Sequence, residues 1–448
     1  MNEDKITEKR ARIRERAQNK KNGKKPSAGI RVISAILILI LVAGIYRMVT
    51  SGEQPSDFDY SLMKETGDIN AEKPVLMGEA AELYSLNLEE PLYQKNADKR
   101  IDPYSITKIL TCYLAIEKLD PDKIVKVSEY AATPLEDGTS IFLKKGEKIS
   151  VRDLLYGAML ESGNDAATAL AEEVSGSEKE FAELMNQQAK EWGCENTHFV
   201  NANGWKDEDH YTTAHDMAII TAKSFENAEL RKISLEKEYV IGATNKSGER
   251  HLENHTRRGT KKLKDLTCGK TGGWTSKDCS IAVGFSRNYI DGVVVVLRTT
   301  VKRRRDDARR LIEYSQIATP GFIVANAGDI VCETDVKGSA EPTADLYIDD
   351  TLYAYPKGHE KSGVEVKIQR DELEAPVPKD TKAGTYTLYA DGKEIRSGEL
   401  FTAEDVEKGW FLSRFGISNK TTVRLFEFTA IWLILFIVVR KLCKALGL

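Results

Sequence analysis

The 448 residues leave room for two or three domains around a sizeable core. A formal net charge of −4 and an isoelectric point near 6.0 argue against nucleic-acid binding by the chain as a whole. Six scattered cysteines, with no C-x-x-C pair among them, argue against a zinc ribbon and a thioredoxin-like redox site.

Residues 1–29 carry ten Lys/Arg against four acidic residues and almost no apolar periodicity. The run "IRVISAILILILVAGIYRMV" (30–49) follows. It has 15 uncharged residues between Arg31 and Arg47, and reaches the roughly 20 a bilayer needs once both arginines snorkel outward. A cleaved signal peptide is the alternative, but the basic stretch is long for one and no small-x-small site follows cleanly. The expectation is a cytoplasmic head (1–29) and a transmembrane signal anchor (30–49), with the rest of the chain outside the cell.

Residues 50–74 are polar and turn-rich and are expected to form a linker. Two apolar runs between residues 75 and 100 predict a hairpin. Helical spacing then dominates in "ITKILTCYLAIEKL" (106–119), "VRDLLYGAMLES" and "NDAATALAEEV". Strands return with "CSIAVGFSRN" (279–288) and "GVVVVLRTT" (292–300), before a final helix in "DDARRLIEYSQIA". Helices between two sets of antiparallel strands predict an α+β domain over residues 75–320, with helices packed on a sheet. Residues 322–402 change to short strands and turns, which predicts a small all-β domain. A second apolar run, with twelve uncharged residues from Phe428 to Val439 and basic residues after it, predicts a membrane segment over 423–440. An interfacial helix is the alternative there.

Three short motifs carry chemistry. Ser105-x-x-Lys108 opens a helix, and residues three apart share a helix face, so the ammonium can reach the serine oxygen. A lysine in a dry, positively charged cleft loses proton affinity and can serve as a base. Ser162-Gly163-Asn164 lies between helical segments, where a loop can offer both side chains to a cleft. Lys270-Thr271-Gly272 precedes Gly273 and an apolar strand pair. There a lysine and a hydroxyl can meet a carboxylate, while glycine lets a substrate backbone approach closely. Singly, these read as a surface pair, a turn and a loop. Their order and separation, about 55 and then about 105 residues, form a set.

That set resembles the signature of the penicilloyl-serine transferases, the penicillin-binding proteins and serine β-lactamases. The stretches 158–193 and 197–220, the latter with an N-x-x-G…H-x-[ST]-T-A-x-D-[ML]-A run, resemble D-alanyl-D-alanine carboxypeptidases, the low-molecular-weight penicillin-binding proteins. The resemblance covers about 75–320, and residues 322–402 are similar to that family's C-terminal β-domain, including the close "AEDVEKG". It implies a transpeptidase-like fold of helices on an antiparallel sheet, followed by an all-β domain, with terminal membrane segments. It also implies that Ser105 is the nucleophile, Lys108 its base and Ser162 a proton relay, with Asn164 holding the substrate backbone. Lys270 and Thr271 would bind the terminal carboxylate, and the N–H groups of Ser105 and Gly273 would form the oxyanion hole beside Gly272. The family often uses an arginine ahead of the last helix for the same carboxylate, and Arg304 is the candidate here.

The implied partners are peptidoglycan stem peptides ending in D-Ala-D-Ala, β-lactam antibiotics and the lipid bilayer. No metal, cofactor or nucleic acid is expected, and the implied location is the bacterial plasma membrane with an extracytoplasmic catalytic domain. A D,D-endopeptidase, a serine β-lactamase and a catalytically inactive wall-binding protein are the alternatives. The chain departs from the family in its basic head and anchor, in its strong C-terminal apolar run, and at Gly273-Trp274, where members often carry a bulkier residue and then Thr. His251 and His255 have H-x-x-x-H spacing, but no third metal ligand is evident. "KRRR" (302–305) fits a helix-entry surface better than a nucleic-acid patch. Cys268 and Cys279 could pair across strands, although buried free thiols are the plainer expectation.

Overall fold

The computed structural model describes residues 28–50, 55–136, 138–259, 263, 265–415, 417 and 419–445. The basic head lies outside the described residues apart from its last two. A first helix, α1 (Ala28–Thr50), carries the apolar run. Strands β1 (Lys64–Thr66), β2 (Ala80–Ser85) and β3 (Glu90–Lys95) come next. The helical half contains α2 (Lys108–Lys118), the strand pair β4 (Ile124–Lys126) and β5 (Lys148–Ser150), then α3 (Val151–Met159), α4 (Asn164–Ser175), α5 (Glu178–Glu191), α6 (Ala214–Ser224) and α7 (Ala228–Leu235). After the pair β6 (Glu238–Ile241) and β7 (Arg250–Glu253) and the short α8 (His255–Gly259), the chain returns through β8 (Leu266–Gly273), β9 (Cys279–Arg287), β10 (Ile290–Thr299) and α9 (Arg303–Ala318).

Sequence-local signals start the helices. Ser150, Ser177 and Thr213 each accept a hydrogen bond from the N–H three residues on, at the heads of α3, α5 and α6. Gly176, at φ +86°, terminates α4 in a conformation that favours glycine.

Five strands form an antiparallel sheet in the order β3-β2-β10-β9-β8. The tetrad Val293–Val296 in β10 explains why an apolar run without alternation belongs here. Val293 and Val295 enter the core shared with α2–α7, while Val294 and Val296 enter the core covered by Leu311 and Ile312 of α9. Both faces are dry, so both sets of alternating positions are apolar.

Residues 321–402 are built of strands: β11 (Gly321–Ala325), β12 (Ile330–Lys337), β13 (Thr343–Tyr347), β14 (Leu352–Ala354), β15 (Val364–Arg370), β16 (Leu373–Glu374), β17 (Lys382–Ala390) and β18 (Lys393–Thr402). The segment expected to be a linker over 50–74 differs from that expectation. Its β1 pairs antiparallel with β11, and Phe58 and Met63 are buried in the core of the β-rich part. Leu62 packs against the same core and Tyr60 Oη accepts the Val366 N–H, so these apolar and aromatic residues recruit an otherwise polar stretch. A last helix, α10 (Asn419–Ala445), carries the second apolar run.

Cys112, Cys194, Cys268, Cys279 and Cys332 are free and buried. Cys268 pairs in register with Gly284 and Cys279 with Gly273, so the two cysteines do not face each other across β8 and β9.

Candidate active site

Ser105 lies in a 3-10 turn (Tyr104–Thr107) that runs directly into α2, whose first residue is Lys108. Tyr104 is held at φ +52° and Ser162 at φ +62°, a region costly for non-glycine residues that persists where the surroundings enforce it. Part of that enforcement is visible on either side of the turn. Arg298, itself at φ +50° in the bulge near the end of β10, donates to Asp102 at 2.9 Å. Gly204 packs so closely on Tyr104 that a Cβ there would stand 1.9 Å from the Tyr104 carbonyl oxygen.

The Lys108 side chain is fully buried. Its Nζ lies 3.0 Å from Ser105 Oγ, 2.7 Å from Asn164 Oδ1 and 2.6 Å from the Asn203 carbonyl oxygen. None of these three neighbours is a carboxylate. Burial, reinforced by the Lys270 charge, holds the Lys108 amine well below the ordinary lysine range. A neutral amine has two N–H donors and one lone pair. In that neutral form the two amide oxygens, which can only accept, take the two N–H groups and leave the lone pair to receive the Ser105 hydroxyl proton, whereas in the ammonium form Nζ donates to Ser105 Oγ.

Lys270 is also fully buried, in β8, and donates to Ser162 Oγ at 3.0 Å and to the Thr271 carbonyl at 2.9 Å. Burial, with a smaller contribution from Arg304, pulls its ammonium down to about 7. The K-T-G stretch is therefore strand rather than a loop before one, at the edge of the five-stranded sheet. Thr271 turns its N–H away from β9 to Thr256 Oγ1, 3.1 Å away. By the alternation of an antiparallel ladder, Gly273 turns the same way and presents its backbone groups to the cleft. Gly272 lies against the nucleophile's turn: a Cβ there would be 3.0 Å from the Ser105 nitrogen and 3.1 Å from that of Ile106.

Arg304 lies buried in the first turn of α9, and its Nη1 donates to the carbonyls of Gly272 (2.7 Å) and Ser280 (3.2 Å). It therefore grips the strand end that carries the K-T-G stretch.

Supporting residues escaped the sequence reading. Glu178 accepts from Thr168 Oγ1, the Ala202 N–H and Asn203 Nδ2, and thereby fixes the loop whose carbonyl binds Lys108. Asp165 takes the N–H groups of Ile141 and Leu143 and the Ser140 hydroxyl, which fixes the loop facing Asn164. His210 is buried and accepts the Val200 N–H at Nδ1, leaving Nε2 to donate to Thr107 Oγ1. Burial lowers its imidazole to about 3, so it is neutral. Glu178 and Asp165 stand beside ordinary helix-start positions and carry no local signal of their roles.

His251 lies in β7 and His255 opens α8, so the H-x-x-x-H pair does not share a helix; the two pair with Glu249 and Glu161. Among the described residues no cluster of three potential metal ligands occurs. A cavity of about 1020 Å³ lies between the sheet and the β17–β18 hairpin, but neither Ser105, Lys108, Ser162 nor Lys270 lines it.

Known proteins resemble this chain over most of its length. A family profile described as D-alanyl-D-alanine carboxypeptidase matches residues 68–299, and one described as the C-terminal domain of penicillin-binding protein 5 matches residues 323–408. The chain is 30% identical over 393 residues to the D-alanyl-D-alanine carboxypeptidase DacF of Bacillus subtilis, covering 86% of this chain and 96% of that protein. It is 27% identical over 354 residues to DacA of Escherichia coli, covering 76% and 86%. The crystal structure of penicillin binding protein 5 from Haemophilus influenzae matches 76% of this chain and 100% of its own, with a TM-score of 0.52 and 28% identity. A variant of the Streptomyces K15 DD-transpeptidase matches 54% and 98%, with a TM-score of 0.50 and 26% identity.

Proposed function

That the chain belongs to the D-alanyl-D-alanine carboxypeptidase family is the premise from which we propose roles for the residues of its cleft. The protein is a serine peptidase that releases the terminal D-alanine from peptides ending in D-Ala-D-Ala and binds penicillin covalently.

Ser105 Oγ attacks the carbonyl carbon of the penultimate D-alanine and gives its proton to Lys108 Nζ. The N–H groups of Ser105 and Gly273 stabilise the oxyanion, with donors aimed where charge develops. The carbon–nitrogen bond breaks as Ser162 hands its proton to the departing amine and takes one from Lys270. Lys270 recovers its proton from Lys108, so the two buried amines share one ionising proton and Lys108 returns to its neutral form. A water then gives a proton to Lys108 and attacks the acyl ester, and Ser105 Oγ leaves with that proton. Lys270 and Thr271 hold the substrate carboxylate, Arg304 adds positive potential behind Gly272, and Asn164 holds the substrate backbone.

The single observation that carries this reading is the Lys108 amine, buried between two amide oxygens and the Ser105 hydroxyl. Incubation with a diacetylated tripeptide ending in D-Ala-D-Ala, followed by assay of free D-alanine, tests it. Absence of D-alanine release would overturn it.

We further propose that both terminal helices cross the plasma membrane. Arg31–Val49 and Asn419–Leu442 are long and apolar enough to do so. Their packing supports a pair rather than two separate anchors. A Cβ on Gly44 would lie 2.6 Å from the Phe428 ring. Half-buried positions recur every three or four residues on both helices: Leu37, Leu41, Gly44 and Met48 on α1, and Leu425, Phe428, Trp432, Phe436 and Val439 on α10. With Gly44 opposite Phe428, only an antiparallel arrangement puts the two stripes opposite each other along their full length. Both outer helix ends then lie on one side of the bilayer, and the peptidase lies on the other.

A further inference from the structure

Two tryptophans beside the cleft have no part in the chemistry above. Trp205 follows Gly204, and its N–H donates to Asn201 Oδ1 (3.1 Å) and Asn203 Oδ1 (2.8 Å). The same loop supplies the Asn203 carbonyl that receives Lys108, so the position of Trp205 is tied to that of the base. Trp274 follows Gly273, and its N–H donates to the Asp278 carbonyl at 3.0 Å, closing the turn between β8 and β9. The two rings meet edge to face with centroids 4.5 Å apart. This contact joins the helical half to the sheet. Trp205 is half-buried, and Trp274 remains 45% exposed. Aromatic surface of that size at a rim is available to a ligand.

The direction of the substrate decides what meets it. A peptide docking on the free edge of β8 adds as a strand. Its carboxylate lies at Lys270 and Thr271 and its scissile carbonyl at the Gly273 N–H. Moving from Thr271 to Gly273 along β8 thus follows the substrate from its C-terminus towards its N-terminus. The next protein residue is Trp274. The substrate part next to it lies on the acyl side, beyond the penultimate D-alanine.

We propose that Trp205 and Trp274 form the wall on which the side chain of the residue preceding D-Ala-D-Ala packs, so that they select stem peptides with a long, largely apolar stem at that position. This rests on the roles assigned above and adds a specificity determinant to them. The tryptophans act on the acyl chain and not on the reacting atoms, so the effect is a difference between substrates. Burying three or four methylenes against an aromatic wall corresponds to roughly ten- to a hundredfold in kcat/KM.

The experiment compares Nα,Nε-diacetyl-L-lysyl-D-Ala-D-Ala with Nα-acetyl-glycyl-D-Ala-D-Ala on the full chain in detergent. The expected wild-type kcat/KM ratio favours the lysine peptide at least tenfold. In Trp205→Ala and Trp274→Ala the ratio falls about tenfold, whatever loss the two substrates share, and Trp274→Phe recovers most of it. A ratio near one in the wild type, or an unchanged ratio in both alanine variants, overturns the wall. A wild type that releases D-alanine from neither peptide overturns the peptidase roles themselves. If the alanine variants fail to fold, Trp274→Gln decides, since that position is 45% exposed and tolerates a polar side chain: the ratio is expected to fall about tenfold, and an unchanged ratio overturns the wall.

Discussion

Gly204 stands so close to Tyr104 that the two backbones leave no space for a methyl group: a Cβ on Gly204 would be 1.9 Å from the Tyr104 carbonyl oxygen. Gly204 also adopts φ +79°, where an L side chain is strained even in open space. This contact locks the loop that offers the Asn203 carbonyl to Lys108 onto the turn that carries Ser105. Gly204→Ala is expected to lose about 1–3 kcal/mol from backbone conformation alone, and more from the clash. It should lower the melting temperature and slow acylation by fluorescent penicillin in the fraction that remains folded. A variant with wild-type melting and labelling would show that the loop can shift without disturbing the base.

Ser105→Ala should abolish covalent labelling by fluorescent penicillin, because the acyl bond forms on that oxygen. Lys108→Ala should slow acylation by roughly three orders of magnitude or more, since a base acting with its nucleophile costs nearly as much to remove. Stopped-time gel assays of labelling measure both. Undiminished labelling of the serine variant would move the nucleophile elsewhere. A wild-type rate in the lysine variant would leave the short Lys108–Ser105 contact without catalytic meaning.

The serine β-lactamase alternative makes a contrary forecast at the deacylation step. Class A β-lactamases deacylate with a glutamate in an E-x-x-L-N stretch; the nearest imitation here, "ELMN" (183–186), has the wrong spacing and is part of α5, and Asn186 is spent on both backbone groups of Phe199. No carboxylate bonds to Ser105 or Lys108 among the described residues. The penicilloyl-enzyme should therefore persist for minutes or longer after free penicillin is removed, as followed by intact-protein mass. Turnover of penicillin at many cycles per second would favour the β-lactamase reading.

Much of this cleft was legible because its chemistry is written in side chains. Ser105 and Lys108 declare their contact by helical spacing, and the three motifs are brought together by a fold whose strands and helices have clear periodicity. What stayed hidden is held by backbone. The Asn203 carbonyl at Lys108 and the left-handed Tyr104, Ser162 and Arg298 have no side-chain signature, since any residue type has a carbonyl and only context enforces an unfavourable φ. The strand β1 was hidden for another reason. Three polar residues, Lys64–Thr66, have no strand pattern of their own and are extended because β11 offers them an edge.

The paired membrane helices predict topology. Tags at the two ends of the chain should survive protease added to intact protoplasts, while the region between the helices is digested. Gly44→Leu should disrupt the pairing with Phe428, because the added side chain occupies the space that the ring fills. A Leu37→Cys and Phe436→Cys pair in a chain otherwise free of cysteine should cross-link within one molecule, and Gly44→Leu should reduce that yield. Loss of the C-terminal tag would place α10 on the outer surface instead. Cross-links found only between molecules would replace the hairpin with an intermolecular helix pair.

Lys270 links carboxylate recognition to pH. Its ammonium is pulled down to about 7 by burial first and by Arg304 second, whereas an exposed lysine titrates near 10.5. Below about 7 it carries the charge that a terminal carboxylate requires. As pH rises through that value the free enzyme loses the proton and with it the attraction. Binding of the carboxylate favours the charged form, so the loss appears in KM and kcat/KM at lower pH than in kcat. Above about 7, kcat/KM on a free-acid substrate is therefore expected to fall by up to tenfold per pH unit relative to kcat. A substrate amidated at the terminal carboxylate should react about ten- to a hundredfold more slowly at pH 6, the worth of a charge-assisted contact of about 1.5–3 kcal/mol, and should show no such alkaline limb. Lys270→Arg keeps its charge and should lose the limb even if its overall rate is low. Steady-state D-alanine release from pH 5.5 to 9.5, with acid and amide, measures all three. Equal rates on acid and amide across that range would remove the carboxylate role from Lys270. An alkaline limb that persists unchanged in Lys270→Arg would assign the titration to another group.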